Sequence, residues 1–420
     1  MPNDIFNYSK SSTNPNRSML IRKHKPPSCS SLMARSFRLH ARLCQLCGCF
    51  FVRDIFRGVH HQARMVRWKS LYALYSCGCV SLLALLGYEE LAAWTDEWSG
   101  HQEHLEIVIR ITLHAMLFLR IIVNYLCMLL GSSKLASFYQ RASAYETRAK
   151  ITSCECCATM DIFWCDLRRC FVCILYSIAI GLTEPRGSNG PANPLTETFY
   201  WFQILLATLF WLVYDSMYAV ALKSSGQVLC RYIDQEVEAL RVFEGYHCIG
   251  FDHRADMARR AEEVRLNVFT VLQLKREINA IWMWSLIVTS VYVLLLPCIC
   301  IHEVCYSSYA AEQRYGLALY AVYIAYDFAT LTHASQSLIN RAKELKNVCR
   351  RARSFGNAAL GYQIQLLYDT INPEDMAFEG ADFFRLKVSL LVSMTASVIT
   401  YAVILRQTSQ GINRSRDAVV

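Results

Sequence analysis

The last apolar stretch of the chain, residues 386–405, carries polar side chains at a regular spacing. Successive residues of an α-helix are about 100° apart. On such a helix one stripe is shared by Thr400, Val403, Ile404 and Gln407. An uncharged amide facing water can hydrate a passing cation without trapping it, and alkyl side chains can close a narrow path by dewetting. An unpaired amide in lipid costs several kcal/mol, so we expect Gln407 to face water or protein.

A simpler interpretation of Gln407 is that it reaches the headgroups at the outer end of its helix. The spacing alone favours this simpler interpretation. The neighbouring Arg406 lies about 100° away from Gln407, and we expect it to point at headgroups, because a ring of arginines would repel cations. Tyr401 is expected to pack between helices with a partner for its hydroxyl.

Charged side chains also occur inside other apolar stretches. Charges at that depth are costly and usually face a cavity or each other. For Arg120, Asp215 and Asp327 we expect an internal salt bridge that fixes helix packing. Arg110 and His114 lie nearer the outer end of their stretch, where a ligand pocket would open or where the side chains would reach the headgroups.

Aromatic side chains cluster at the outer ends of three stretches. They fit an interfacial aromatic belt and equally an apolar pocket with a few polar groups. The candidate ligand contacts among them are Tyr200, Trp201, Tyr292, Tyr320 and Tyr323.

The 19 cysteines raise the question of a metal or disulfide site. Cys44, Cys47 and Cys49 have ligand-like spacing, but no matching cluster follows at a suitable distance. Buried thiols or S-palmitoylation suit them better. We therefore predict no metal and no cofactor, and without a catalytic motif we predict that the chain is not an enzyme.

Seven apolar blocks of about 20 residues, the length that crosses a bilayer, organise the chain. They lack period-two alternation, so we expect helices rather than a barrel. The predicted fold class is all-α: a polytopic membrane protein with seven transmembrane helices. The blocks are 70–88, 107–130, 163–182, 199–222, 278–301, 315–339 and 386–405.

The charges of the connections predict the orientation. The segment before the first block carries 13 Lys and Arg residues against two Asp, and the next connection carries none. Basic and non-basic connections then alternate to the end. By the positive-inside rule the N-terminus is cytoplasmic and the C-terminus extracellular. The net charge of +9 is accounted for in this way, and we predict no nucleic-acid partner.

The predicted organisation follows from these blocks and charges. It consists of a cytoplasmic segment 1–69, helices one to four in 70–222, a cytoplasmic helical loop 223–277, helices five and six in 278–339, a cytoplasmic helical segment 340–385, the seventh helix 386–405 and an extracellular tail 406–420.

The end of the chain resembles the C-terminal signature of insect gustatory receptors. That signature is Thr-Tyr, five apolar residues and Gln-Phe, after a turn of the Gly-x-Phe-Phe type. Thr400, Tyr401 and Gln407 match it, while Thr408 stands in place of the Phe. Phe383 and Phe384 match the turn. Together with seven helices, an inner N-terminus and long helical inner loops, the resemblance covers roughly residues 35–408.

The resemblance implies a tetrameric, ligand-gated cation channel related to insect odorant receptors. The last helix of each subunit would line the pore, and the helical inner loops would form a shared anchor. The implied pore and gate residues are Thr400, Val403, Ile404, Gln407 and Thr408. The ligand pocket would open outward within the bundle of the second to sixth helices.

We therefore predict a non-selective cation channel for taste, in the plasma membrane of gustatory receptor neurons. Its partners would be a small-molecule tastant, membrane lipid and, in a homo- or hetero-tetramer, other gustatory receptors. Sugar-sensing members have Glu after the Thr-Tyr pair, whereas this chain has Ala402, which favours a bitter or other non-sugar tastant. The alternatives are a metabotropic receptor of the G-protein-coupled type, which the predicted orientation disfavours, and a transporter, which would have inverted repeats.

Overall fold

A computed structural model describes residues 31–53, 64–65, 70–97, 104–151, 194–244, 252–306, 311–353 and 358–417. The third predicted block, 163–182, lies outside these ranges. The described part of the chain is almost entirely helical, and the predicted all-α class of a polytopic membrane protein is confirmed.

Eight helices and two small hairpins make up the described residues. The helices are α1 (Leu32–Leu46), α2 (Leu71–Glu97), α3 (His104–Arg148), α4 (Pro194–Glu244), α5 (Asp252–Tyr306), α6 (Ala311–Arg353), α7 (Ala358–Thr370) and α8 (Val388–Asp417). Strands β1 (Val52–Arg53) and β2 (Arg64–Met65) form one antiparallel pair, and β3 (Glu379–Gly380) and β4 (Phe384–Arg385) form the other. A 3₁₀ turn covers Pro373–Met376.

Four of the helices are much longer than a bilayer is thick. They contain 45 residues in α3, 51 in α4, 55 in α5 and 43 in α6. At 1.5 Å per residue even the shortest is about 65 Å long, against about 30 Å for a hydrocarbon core. Each therefore continues well beyond a membrane. The helical periodicity of 223–277 predicts this for α4 and α5, and that of 341–355 predicts it for α6.

Within the described ranges, three stretches are long and apolar enough to cross a membrane: Ile111–Arg148, Leu205–Val242 and Met257–His302. Leu71–Leu85 and Val388–Ile404 are shorter apolar helical stretches. The block 315–339 is in neither group, since Asp327 and several hydroxyl and amide side chains interrupt it. That seven helices cross the membrane therefore stays a prediction.

The last helix differs in its limits from the predicted block 386–405. Leu386 is fully buried and donates its N–H to the Phe378 carbonyl over 2.7 Å, so it belongs to the hairpin before the helix. The helix begins at Val388 and continues past Leu405 to Asp417. Apolar character marked the lipid-compatible part, but the polar residues after it keep the helical conformation.

A carboxylate of α3 holds the N-terminus of α1. Glu146 accepts hydrogen bonds from the N–H groups of Leu32 (2.7 Å) and Met33 (2.9 Å) and from the Ser31 hydroxyl (3.1 Å). Tyr232 of α4 donates to the same carboxylate. The first N–H groups of a helix lack partners within it, and the helix dipole favours a negative charge there. This contact fixes α1 to α3 and α4.

The three cysteines with ligand-like spacing are buried at the end of α1. Cys44 and Cys49 are fully buried and Cys47 is 3% exposed. Burial raises the pKa of the Cys47 thiol to about 12. Of the two interpretations offered for these thiols, burial supports packing over palmitoylation, which needs an accessible sulfur. Among the residues that the structure describes, no group of His, Cys, Asp and Glu could hold a metal ion.

Candidate pore helix and bundle interior

Helix α8 contacts the rest of the chain along one side. Its 30 residues make it about 45 Å long. Leu390, Leu391 and Met394 pack against the core formed by the other helices, and α8 touches α5 and α6. Val398 and Tyr401, further along the same side, are half-buried. Tyr401 thus lies on the packed side, as expected for a side chain between helices.

The stripe identified in the sequence lies on the opposite side of α8. Thr400, Val403, Ile404 and Gln407 are all exposed. The side chain of Thr408 and that of Arg406 lie outside the described part. Val403 and Ile404 expose 50% and 56% of their surface, far more than apolar side chains of a helix buried in a core. Exposed apolar surface of this kind marks a contact with lipid or with another protein chain.

Polar residues continue this stripe toward the start of α8. At 100° per residue Ser389, Ser393 and Thr400 lie within about 40° of the direction of Gln407, and all three are exposed. Sequence reasoning missed the two serines, because it began from the C-terminal motif. Plotting the helix angles from Val388 onward would have found them.

Two hydroxyls of the stripe and that of the neighbouring Ser397 donate within the helix. Ser393 donates to the Ser389 carbonyl (3.1 Å), Ser397 to the Ser393 carbonyl (3.0 Å) and Thr400 to the Ala396 carbonyl (2.9 Å). This i to i−4 bonding uses the proton and leaves oxygen lone pairs pointing outward. The stripe can therefore offer oxygen atoms to a cation or to water, and it carries no charge among its described side chains.

The turn that leads into α8 is tied to α5 and α6. The Asn279 side chain of α5 donates to the Glu379 carbonyl (3.0 Å) and accepts from the Glu379 N–H (2.9 Å), as a strand would. Ser335 of α6 accepts from the Phe378 N–H over 2.9 Å. Because α8 follows Glu379 by only nine residues, a movement of α5 or α6 is transmitted to its start.

The hairpin β3–β4 turns through two residues with positive φ, Ala381 (43°) and Asp382 (63°). Such a turn is unfavourable for Ala, so the neighbouring contacts must hold it. Phe384 packs against the core while Phe383 remains 80% exposed at the tip. Lys387 and Glu374 form an ion pair at the foot of α8, and the hydrogen bond from Lys387 keeps the pKa of Glu374 below its ordinary value.

The buried charges of the bundle form the expected salt bridge. Arg120 of α3 and Asp215 of α4 are 2.7 Å apart, with 2% and 3% of their side chains exposed. The Arg120 guanidinium also lies 4.5 Å from the centre of the Tyr292 ring. Asn124, one turn after Arg120, donates to the carbonyls of Tyr214 and Asp215 over 3.0 and 3.1 Å. Asp327 of α6 is half-buried, and its place in a salt bridge stays a prediction.

Three of the candidate aromatic residues come together next to this salt bridge. The Tyr320 ring lies 6.4 Å from Tyr292 and 6.5 Å from Tyr323. Trp211 of α4 lies 5.0 Å from Tyr320, and sequence reasoning missed it because Trp211 lies in the middle of its block and not at the outer end. The cluster joins α4, α5 and α6 around the polar pair, as in a small-molecule site with a few polar groups.

The remaining candidate ligand contacts are His114 and three residues whose side chains lie outside the described part. His114 of α3 is half-buried, six residues before Arg120. Arg110, Tyr200 and Trp201 lie in helices, but their side chains are outside the described part. Their role as ligand contacts stays a prediction.

Comparison with solved structures places the fold among insect olfactory receptors. The olfactory receptor OR5 from Machilis hrabei in complex with eugenol superposes with a TM-score of 0.62 and 15% sequence identity, over 90% of this chain and 98% of that chain. The same receptor in a second structure gives a TM-score of 0.62 and 15% identity, over 89% and 97% of the two chains. No protein-family model and no curated protein sequence matches the chain. At this identity the likeness establishes the fold.

Proposed function

We propose that this protein is an insect chemoreceptor of the gustatory type that acts as a ligand-gated, non-selective cation channel. One observation carries the proposal: the polar stripe of α8 faces away from the rest of its own chain. An exposed stripe of hydroxyl and amide groups that does not pack against its own bundle suits a water-filled path shared with other copies. The C-terminal Thr400, Tyr401 and Gln407 motif and the olfactory-receptor fold support the same assignment.

The channel would be a tetramer in the plasma membrane of gustatory neurons, as a homomer or with related subunits. Four copies of α8 around an axis would form rings of hydroxyl, branched alkyl and amide groups at Thr400, Val403, Ile404 and Gln407. The exposed alkyl side chains would close the path when the rings approach. The N-terminus would be cytoplasmic, so the extensions of α3 to α6 would lie inside the cell.

The ligand would be a small organic molecule bound beside the cluster of Trp211, Tyr292, Tyr320 and Tyr323. This cluster offers aromatic surface next to a buried charge pair, and it joins the helices whose movement reaches α8 through Asn279 and Ser335. The likeness to a receptor solved with eugenol supports an aromatic or similarly apolar ligand. Ala402 after the Thr-Tyr pair favours a non-sugar tastant.

The experiment is patch-clamp recording of cells that express the chain, with a tastant panel and with G-protein signalling blocked. We expect a cation current that persists during the block. Gln407→Lys should lower cation conductance at unchanged surface expression, because its ammonium would repel cations in the path. The matched control is Asn413→Lys, the same charge change on the same helix about 120° off the stripe.

A response that the G-protein block abolishes would overturn the channel assignment in favour of a metabotropic receptor. A channel whose conductance falls equally with Lys at 407 and at 413 would keep the channel but remove the stripe from the ion path.

A further inference from the structure

Helices α4 and α6 enclose a cavity of about 700 Å³ near the ends of the predicted blocks 199–222 and 315–339, and the proposed channel function does not use it. Its walls include Lys223, Gln227 and Arg231 from α4 and His333, Ser337 and Arg341 from α6. Its volume is typical of sites for small organic ligands, which are usually apolar, whereas this lining is cationic and rich in hydrogen-bonding groups. A small-molecule odorant would gain little here.

The charge of the lining indicates an anion. Lys223, Arg231 and Arg341 stand against one lining carboxylate, Glu344. That carboxylate is bound by Arg241 from outside the cavity at 2.6 Å and by Arg341 within the lining at 3.2 Å. Arg341 also pairs with Asp234 at 3.1 Å. These three ion pairs fix the far wall, and Lys223 and Arg231 lie outside them. The lining therefore keeps a net positive charge in a partly enclosed space, where electrostatic attraction is stronger than at an open surface.

The spacing of the cations points to more than one phosphate group. Lys223 and Arg231 are eight residues apart on one face of α4, which corresponds to about 12 Å along the helix axis. Side chains this far apart along the axis can each contact a different phosphate of one ligand. Arg and Lys are the side chains that bind phosphate oxygens with charge-assisted hydrogen bonds.

The neutral groups of the cavity complement a polyhydroxyl ring. Ser337 donates its proton to the His333 carbonyl over 2.9 Å, and so its oxygen is left as an acceptor. The side-chain oxygen of Gln227 is buried and has no hydrogen-bond partner among the described residues. A phosphate cannot satisfy that oxygen, because both are acceptors. A ring hydroxyl between phosphates can donate to it.

The position of the cavity suits a lipid headgroup. Lys223 directly follows the apolar block 199–222, so the upper end of the cavity is level with the edge of the membrane. In the proposed orientation this is the inner leaflet, where basic pockets between helices bind phosphorylated inositol headgroups. His333, Asn340 and Arg341 are exposed and leave the cavity open on one side.

We propose that this cavity is a binding site for a phosphorylated inositol, presented by an inner-leaflet lipid or free in the cytoplasm. Binding would bridge α4 and α6, the helices that carry the aromatic cluster and the Ser335 contact to α8. The site does not depend on the identity of the tastant or on the chain conducting ions by itself.

The test measures ligand binding to the purified full-length chain in detergent, with three probes. They are dioctanoyl phosphatidylinositol bisphosphate, inositol trisphosphate and, as a lipid anion without a phosphorylated ring, dioctanoyl phosphatidylserine. We expect the bisphosphate lipid to bind at least tenfold more tightly than phosphatidylserine. If inositol trisphosphate binds as tightly as the lipid, the free form is a ligand too; if it does not bind, the lipid is the ligand.

Two variants place the binding in the cavity. Lys223→Gln with Arg231→Gln should weaken the bisphosphate lipid at least tenfold. The control Arg259→Gln with Arg260→Gln makes the same charge change at exposed positions of α5 and should leave the affinity within twofold. Ser337→Trp keeps every charge and fills the cavity, so it should also abolish binding. If the double glutamine variant does not fold, Ser337→Trp alone tests whether the lipid binds in the cavity.

Several outcomes would overturn the site. They are equal affinity for phosphatidylserine, equal loss in the two double glutamine variants, and unchanged binding in Ser337→Trp. If Ser337→Trp dissociates an oligomer and the wild-type chain binds no inositol phosphate, the cavity belongs to the contact between copies and the proposal is wrong.

Discussion

At the scale of single residues, the buried ion pair Arg120–Asp215 is a contact on which the local fold strongly depends. Two charges that are almost completely buried, at 2.7 Å, stabilise little as a pair, but removal of one leaves the other uncompensated. The Tyr292 ring beside the guanidinium and the Asn124 amide, which donates to the backbone carbonyls of Tyr214 and Asp215, hold this geometry. The pair therefore sets the relative position of α3 and α4 beside the proposed ligand site.

Asp215→Asn should lower the free energy of unfolding by roughly 3–5 kcal/mol. The matched control is Asp234→Asn, which breaks the exposed interhelical pair with Arg341, whose side chains are 41% and 47% exposed; it should cost about 0–1 kcal/mol. Thermal unfolding of the two purified variants in the same detergent measures the difference. Equal melting temperatures for the two variants would show that the Arg120 site tolerates an uncompensated charge and would contradict the described burial.

The thiols at the end of α1 give a second prediction at this scale. Burial raises the pKa of Cys47 to about 12, so at pH 8 almost none of it is the reactive thiolate. A variant that keeps only Cys44, Cys47 and Cys49 should resist maleimide in the folded state and incorporate no palmitate in cells. In the same background Leu46→Cys, at a position 68% exposed, should label rapidly. Palmitate on the three native thiols would refute the packing described for this helix end.

At the scale of elements, the connection of Asn279 to β3 determines how α8 follows the bundle. One side chain makes both backbone hydrogen bonds of Glu379 that a neighbouring strand would otherwise make. Ser335 fixes the preceding residue from α6. The start of α8 is therefore held by α5 and α6 together, and both of these helices carry members of the aromatic cluster.

Asn279→Ala should reduce the ligand-evoked current per channel at the cell surface, because β3 loses its connection to α5 and leaves two backbone groups without their partner. We expect a several-fold loss with little change in the binding of ligand. Gln365→Ala is the control, since it removes an exposed hydrogen bond to Asp369 within α7. Current normalised to surface biotinylation measures the effect; full current in Asn279→Ala would show that another contact couples α8 to the bundle.

The sequence predicts the helices but not the contacts that join them. Apolar blocks and charge alternation are local properties, so they located α2 to α6 and α8, although several of these helices extend well beyond their blocks. The Asn279 pairing with Glu379 joins residues 100 positions apart and leaves no pattern in the sequence. Likewise, nothing in the sequence distinguishes Trp211 from other aromatic residues, and only the fold places its ring 5.0 Å from the Tyr320 ring. The Arg120–Asp215 pair was accessible, because buried charges must find each other.

At the scale of the whole molecule, only one side of α8 is covered by its own chain. One side packs on α5 and α6, and the other exposes the polar stripe, flanked by Val392 and Ile399 at 65% and 58%. A lone helix in lipid would gain from apolar residues in place of Ser389, Ser393 and Gln407. Their presence on the unpacked side is explained if copies of α8 meet around a common path.

The most direct measurement is the accessibility of single cysteines on α8 in a conducting receptor. A cationic methanethiosulfonate reagent is applied during ligand-evoked current to Ser393→Cys, Thr400→Cys and Gln407→Cys. The same reagent is applied to Met394→Cys and Val398→Cys on the packed side, and to the wild type. We predict a strong, irreversible loss of current at the three stripe positions and no change beyond wild type at the two packed ones. Modification of the packed positions with an unmodified stripe would contradict the account.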